Sequence, residues 1–123
     1  MAVLGLLRRV ADRFPLGRRT WRIIQTVEEA DLVPDRLPRA GAILVADAAG
    51  PKWLAFDCPC TQRHRIMLNL SQHRRPTWRV GRPDPLDLRP SVDSGSAAGR
   101  CHYWIRGGRV HWVQDSGGRQ RDH

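Results

Sequence analysis

Two short segments of this chain gather soft and basic donor groups. Cys58-Pro59-Cys60 is followed by His64, and Cys101-His102 answers them far downstream. Thiolate sulfur together with imidazole nitrogen is the donor chemistry that suits zinc. Proline stiffens the backbone between the first two thiols. In an extended stretch residues i and i+2 share a face, so Cys58 and Cys60 can turn their sulfurs to one ion. Cys58, Cys60, Cys101 and His64 are therefore the candidate metal ligands. The competing reading is of reduced cysteines that pack in a small core, where free cysteine is often found.

A second chemistry follows from the same segments. Neighbouring residues on a strand point opposite ways, so Cys101 and His102 cannot serve one spot. Cys101 falls on the Tyr103 side, toward the core, while His102 is left for a cleft; Asp57 likewise points away from Cys58 and Cys60. That second side needs a nucleophile. Ser91, between Pro90 and a small polar stretch, is the candidate. A serine hydroxyl requires an imidazole to take its proton, and the imidazole gains from a carboxylate that fixes its tautomer. Ser91, His102 and Asp57 would make such a catalytic set, with Asp93 able to replace Asp57 and His64 able to replace His102. Residue types alone leave a plainer alternative open, with Ser91 capping a turn and His102 satisfied at the surface.

The elements that must position these groups are mostly strands. Val3, Leu6, Leu7, Val10 and Phe14 recur at helical spacing and predict an amphipathic N-terminal helix over 2–14, ended by Pro15 and Gly17. Bulky and β-branched residues predict strands over 21–27, 42–46, 53–56, 65–70 and 77–80. Residues 28–37 read as a polar connector with room for one helical turn, 81–85 as a proline-rich loop and 93–99 as a mobile loop. The clearest signal is Gly107-Gly108 between HYWIR and RVHWV, a β-hairpin with a two-residue turn. Its register pairs Arg106 with Arg109, Ile105 with Val110, Trp104 with His111 and Tyr103 with Trp112. The fold expected is α+β but mainly β: a small antiparallel domain with a C-terminal hairpin, an N-terminal helix and a zinc-binding turn. Three segments follow: the helix in 1–19, one β-rich domain over 20–114 and a frayed tail over 115–123.

The composition bounds what this domain can do. A chain of 123 residues buries a core of limited size, and a metal clip would help it. Three cysteines, an odd number, argue against a secreted disulfide framework. No run of about 18 apolar residues exists to span a bilayer, and the apolar, basic start lacks the order of a secretory signal. The expected location is the cytoplasm. The formal charge of +9 rests almost wholly on arginine, with Lys52 the one lysine. Such a charge invites a nucleic-acid reading. The arginines are scattered through Arg8, Arg22, Arg39, Arg65, Arg79, Arg89 and Arg109, however, and an acidic protein partner accounts for them as well.

The segments WLAFDCPC, RHRIMLNL, PSV and CHYWIRGGRVHWV, in that order and spacing, resemble a bacterial family of uncharacterised domains. Its members occur beside ubiquitin-like proteins and their activating and conjugating enzymes. The likeness runs over roughly 20–113. It implies a serine-type peptidase that matures a ubiquitin-like precursor or removes the ubiquitin-like protein from its targets. A zinc-supported β-rich domain would present the catalytic residues. By the same resemblance Ser91 matches the serine of a Pro-Ser-Val motif and His102 the histidine that opens the aromatic strand. Cys58, Cys60 and His64 match the cysteine-rich turn. The chain departs from the family pattern at Thr61-Gln62-Arg63, in place of a further cysteine and glycines, and at Gly99, near which the downstream cysteine usually stands. Two other functions stay open: a metallopeptidase whose zinc activates water, and a zinc-ribbon-like adaptor whose tryptophans and arginines hold protein or single-stranded nucleic acid.

Overall fold

The computed structural model describes residues 20–96 and 99–114. They form eight strands: β1 Arg22–Val27, β2 Gly41–Asp47, β3 Gly50–Asp57, β4 Arg65–Asn69, β5 Arg79–Pro83, β6 Leu86–Ser96, β7 Gly99–Arg106 and β8 Arg109–Trp112. Sheet A has the order β1-β2-β3-β4 and sheet B the order β5-β6-β7-β8. Neighbours run antiparallel except β1 and β2, which are parallel. A parallel pair needs a crossover, and residues 28–40 supply it. Their one helical element is the 3₁₀ turn Ala30–Leu32.

The sheets face each other across one apolar core. Ala42, Leu54, Phe56, Ile66 and Leu68 come from sheet A, and Leu86, Leu88, Val92, Tyr103 and Ile105 from sheet B. Trp21 closes one end, edge-to-face with Phe56 at 5.3 Å between ring centroids. A second cluster of Val27, Leu37, Ile43, Val45 and Ala55 lies on the outer face of sheet A, under the crossover. Alternation along β3 thus sends Leu54 and Phe56 inward and Ala55 outward. Backbone bonds from Trp21 N–H to Gly108 C=O (2.8 Å) and from Leu86 N–H to Trp21 C=O (2.9 Å) tie β1 to sheet B.

The hairpin forms in the predicted register, pair for pair. Gly107 and Gly108 both have positive φ, 56° and 77°, as the turn requires. A Cβ on Gly108 would also collide with the Thr20 side chain. Elsewhere the expectation needs correction. Of the predicted mobile loop over 93–99, the described residues are strand: β6 continues to Ser96 and β7 starts at Gly99. Small polar residues suit a strand with one face in solvent, and Asp93 lies on that exposed face. The predicted proline-rich loop also begins as strand, since β5 runs to Pro83. An edge position tolerates proline because no partner needs the missing N–H. Among the described residues the class is mainly β, as expected. The predicted helix over 2–14 and the tail from 115 lie outside them.

Candidate active site and metal cluster

The turn joining β3 to β4 carries three of the sequence-predicted metal donors. Cys58 N–H donates to His64 C=O (2.8 Å), and Arg63 N–H donates to Cys60 C=O (3.1 Å). Arg63 makes the bend with φ 49°. Cys58 and Cys60 are both fully buried, on the inner side that alternation predicts. Cys101 comes from β7 in the opposite sheet, beside buried Tyr103. One ligand atom from each of Cys58, Cys60, His64 and Cys101 lies within 4.8 Å of all the others.

The donor set fits a metal ion. His64 Nδ1 is 3.4 Å from Cys60 Sγ, so this nitrogen faces the thiols. Its Nε2 is 3.3 Å from Ser94 Oγ, the kind of outer contact that fixes the tautomer of a ligating imidazole. Cys58 Sγ also lies 3.3 Å from Tyr103 Oη. Burial pushes the Cys58 thiol up to about 12 and pushes His64 below the usual imidazole range. Low-dielectric surroundings disfavour each charged form. Three buried thiols and the half-buried His64 could hold one ion and supply its whole tetrahedral shell.

The other face of the same two strands is different in kind. Cross-strand partners in sheet B are Val92 with Tyr103, Asp93 with His102 and Ser94 with Cys101. Val92, Ser94, Cys101 and Tyr103 therefore share the inner face, and Asp93 and His102 the outer. The register shifts between Leu88 and Val92, so Arg89, Pro90 and Ser91 form a bulge. Bulges re-aim side chains and recur beside active sites. Here the bulge directs Ser91 Oγ to His102 Nε2 at 2.9 Å. The indole of Trp78 donates to Ser91 C=O (3.2 Å) and anchors the bulge. Trp104 follows on the outer face with the Arg106 guanidinium 4.2 Å above its ring.

Asp57, the carboxylate expected to orient His102, is placed elsewhere. It follows Ala55 on the outer face of sheet A, where it accepts from Arg65 Nε (2.9 Å) and Leu37 N–H (3.2 Å). His102 is on the outer face of sheet B, with the core between them. Alternation on β3 indicated that Asp57 avoids the thiols but could not say which outer face it joins. Asp93, the alternative acid, stands opposite His102. Arg100 grips it with two bonds of 2.7 and 2.6 Å. The Arg100 hydrogen bond holds the Asp93 carboxyl below the usual carboxylate range, with a smaller contribution from His102. His64, the alternative base, faces Ser94 and the thiols. Ser94 is the residue that sequence reasoning missed; its only signal was its parity with Cys101 in a segment read as loop.

Residues 29–113 match the model of a family described as bacterial ubiquitination-like system serine protease (BubE). The match takes in both constellations and ends with the hairpin. No curated protein matches the chain, and no solved structure matches it. No helix of the described residues is long and apolar enough to cross a membrane.

Proposed function

Because the chain belongs to the bacterial ubiquitination-like system serine proteases, we propose that it is a peptidase that cuts after the C-terminal tail of a ubiquitin-like protein, maturing the precursor or releasing conjugates. Ser91 is the nucleophile and His102 the base. The 2.9 Å contact between Ser91 Oγ and His102 Nε2 carries the reading. With a neutral imidazole, the hydroxyl donates to Nε2. As Oγ attacks the scissile carbonyl its proton passes to Nε2, and the imidazolium then protonates the leaving amine. Water, deprotonated by the same nitrogen, hydrolyses the acyl-enzyme. Asp93, opposite His102 and ionised, stabilises the imidazolium through space.

Zinc in the Cys58, Cys60, His64 and Cys101 set would be structural, contributing folding free energy by joining the sheets. A set of four protein donors leaves no position for a reactive water, which weighs against the metallopeptidase alternative. The direct test uses a ubiquitin-like precursor bearing residues beyond its terminal glycine. Ser91→Ala should lower its cleavage by about a thousandfold or more while far-UV circular dichroism stays unchanged. Undiminished cleavage by that variant would refute the assignment.

A further inference from the structure

β6 is much longer than its outer neighbour. β5 pairs with it only as far as the Arg79–Arg89 couple. At Trp78 the chain has already turned to sheet A, where Trp78 N–H donates to Asn69 C=O (2.8 Å). Only its indole remains to meet Ser91 C=O. Beyond that point β6 keeps β7 on one side, and among the described residues no strand pairs with its other flank.

The direction of the backbone groups on that flank follows from the ladder. Val113 N–H donates to His102 C=O (2.9 Å), so the His102 backbone points toward β8. The Asp93–His102 couple is thus of the type that exchanges no backbone bonds. The Asp93 N–H and C=O point away from β7, and those of Gly95, two residues on, point the same way. The N–H groups of Asp93 and Gly95 have no partner among the described residues. Both residues are exposed, and nothing lies within 4 Å of where a Gly95 Cβ would be.

We propose that this flank, from Ser91 to Gly95, binds the substrate tail as an added β-strand. The proposal rests on the serine-peptidase reading and names the surface that presents the tail. A free strand edge recognises extended backbone through main-chain hydrogen bonds, which selects for an unfolded tail over the folded body of a ubiquitin-like protein. The flank runs about 16 Å at the rise of a strand, and an added strand would lie about 4.8 Å from β6. The edge is continuous with Ser91, so the tail's backbone passes beside the nucleophile. Trp78 closes the strip at that end.

The test is an N-methyl scan of an eight-residue tail peptide that the wild-type protein cleaves. Methylation at every second amide should lower kcat/KM about tenfold or more, with the amides between them changed far less. Gly95→Pro, which removes one flank donor, should raise KM by a similar factor while labelling of Ser91 by a small fluorophosphonate keeps its rate. Cleavage that persists with equal or no losses along the scan overturns the proposal and leaves the serine-peptidase reading standing. A concentration-dependent dimer abolished by Gly95→Pro would give the flank to a second copy and also overturn it. If Ser91→Ala still cleaves the peptide, the underlying reading fails and the proposal with it.

Discussion

At the scale of single residues, the chemistry depends on which way each side chain leaves its strand. Adjacent residues Cys101 and His102 serve two opposite faces of β7, one buried among thiols and one facing Ser91. That division was legible from alternation alone. The acid was not. Alternation placed Asp57 away from the thiols and Asp93 stood as its alternative in a segment read as loop, and only the packing of sheet A shows Asp57 engaged by Arg65 and Leu37. Asp57→Asn should therefore leave kcat within about twofold while costing about 1–3 kcal/mol of stability, the usual cost of losing hydrogen bonds to a charged, part-buried group. Steady-state kinetics and a urea titration on one sample check both halves. A loss of kcat without a loss of stability would return Asp57 to the catalytic set.

At the scale of elements, the Gly-Gly turn and the bulge show why parts of the chain read clearly and others did not. The final hairpin combines alternating bulky residues with a turn that only glycine makes easily, so local sequence defines its register. β6 carries its Ser-Val-Asp-Ser-Gly run on a strand whose outer face is solvated. Low apolar content there looks like loop, and only the long-range pairing with β7 makes it strand. The parallel β1–β2 pair was equally invisible, since pairing direction is set by the crossover rather than by either strand. Gly108→Ala tests the hairpin's importance. An alanine held at that positive φ costs about 1–2 kcal/mol, and the collision with Thr20 adds to it. Thermal unfolding should shift down accordingly, and an unchanged Tm would mean that the turn relaxes freely.

At the scale of the whole molecule, the metal cluster is where the two sheets are joined by side chains of both. Cys58, Cys60 and His64 come from the β3–β4 turn and Cys101 from β7. His64 further reaches Ser94 on β6, one residue from Asp93. A bound ion would hold the inner face of the β6–β7 ladder whose outer face carries Ser91 and His102. Zinc at a thousandfold excess over its Kd would contribute about 4 kcal/mol. Chelation should lower Tm by more than about 10 °C, and resupplied zinc should restore it. No change in Tm on chelation, with metal content confirmed by mass spectrometry, would mean that the thiols pack as an ordinary core. The sequence named these four donors as one set, and the fold supplies what spacing alone lacks, because Cys101 joins the others only once the sheets face each other.

The account depends most directly on a hydroxyl made reactive by its neighbouring imidazole. Intact-mass and peptide-mapping analysis after exposure to a fluorophosphonate measures this without knowledge of the natural substrate. The expected result is a single adduct on Ser91 in the wild-type protein and none above background in His102→Ala. An unlabelled wild-type Ser91, or labelling that persists at the same rate without His102, would contradict it.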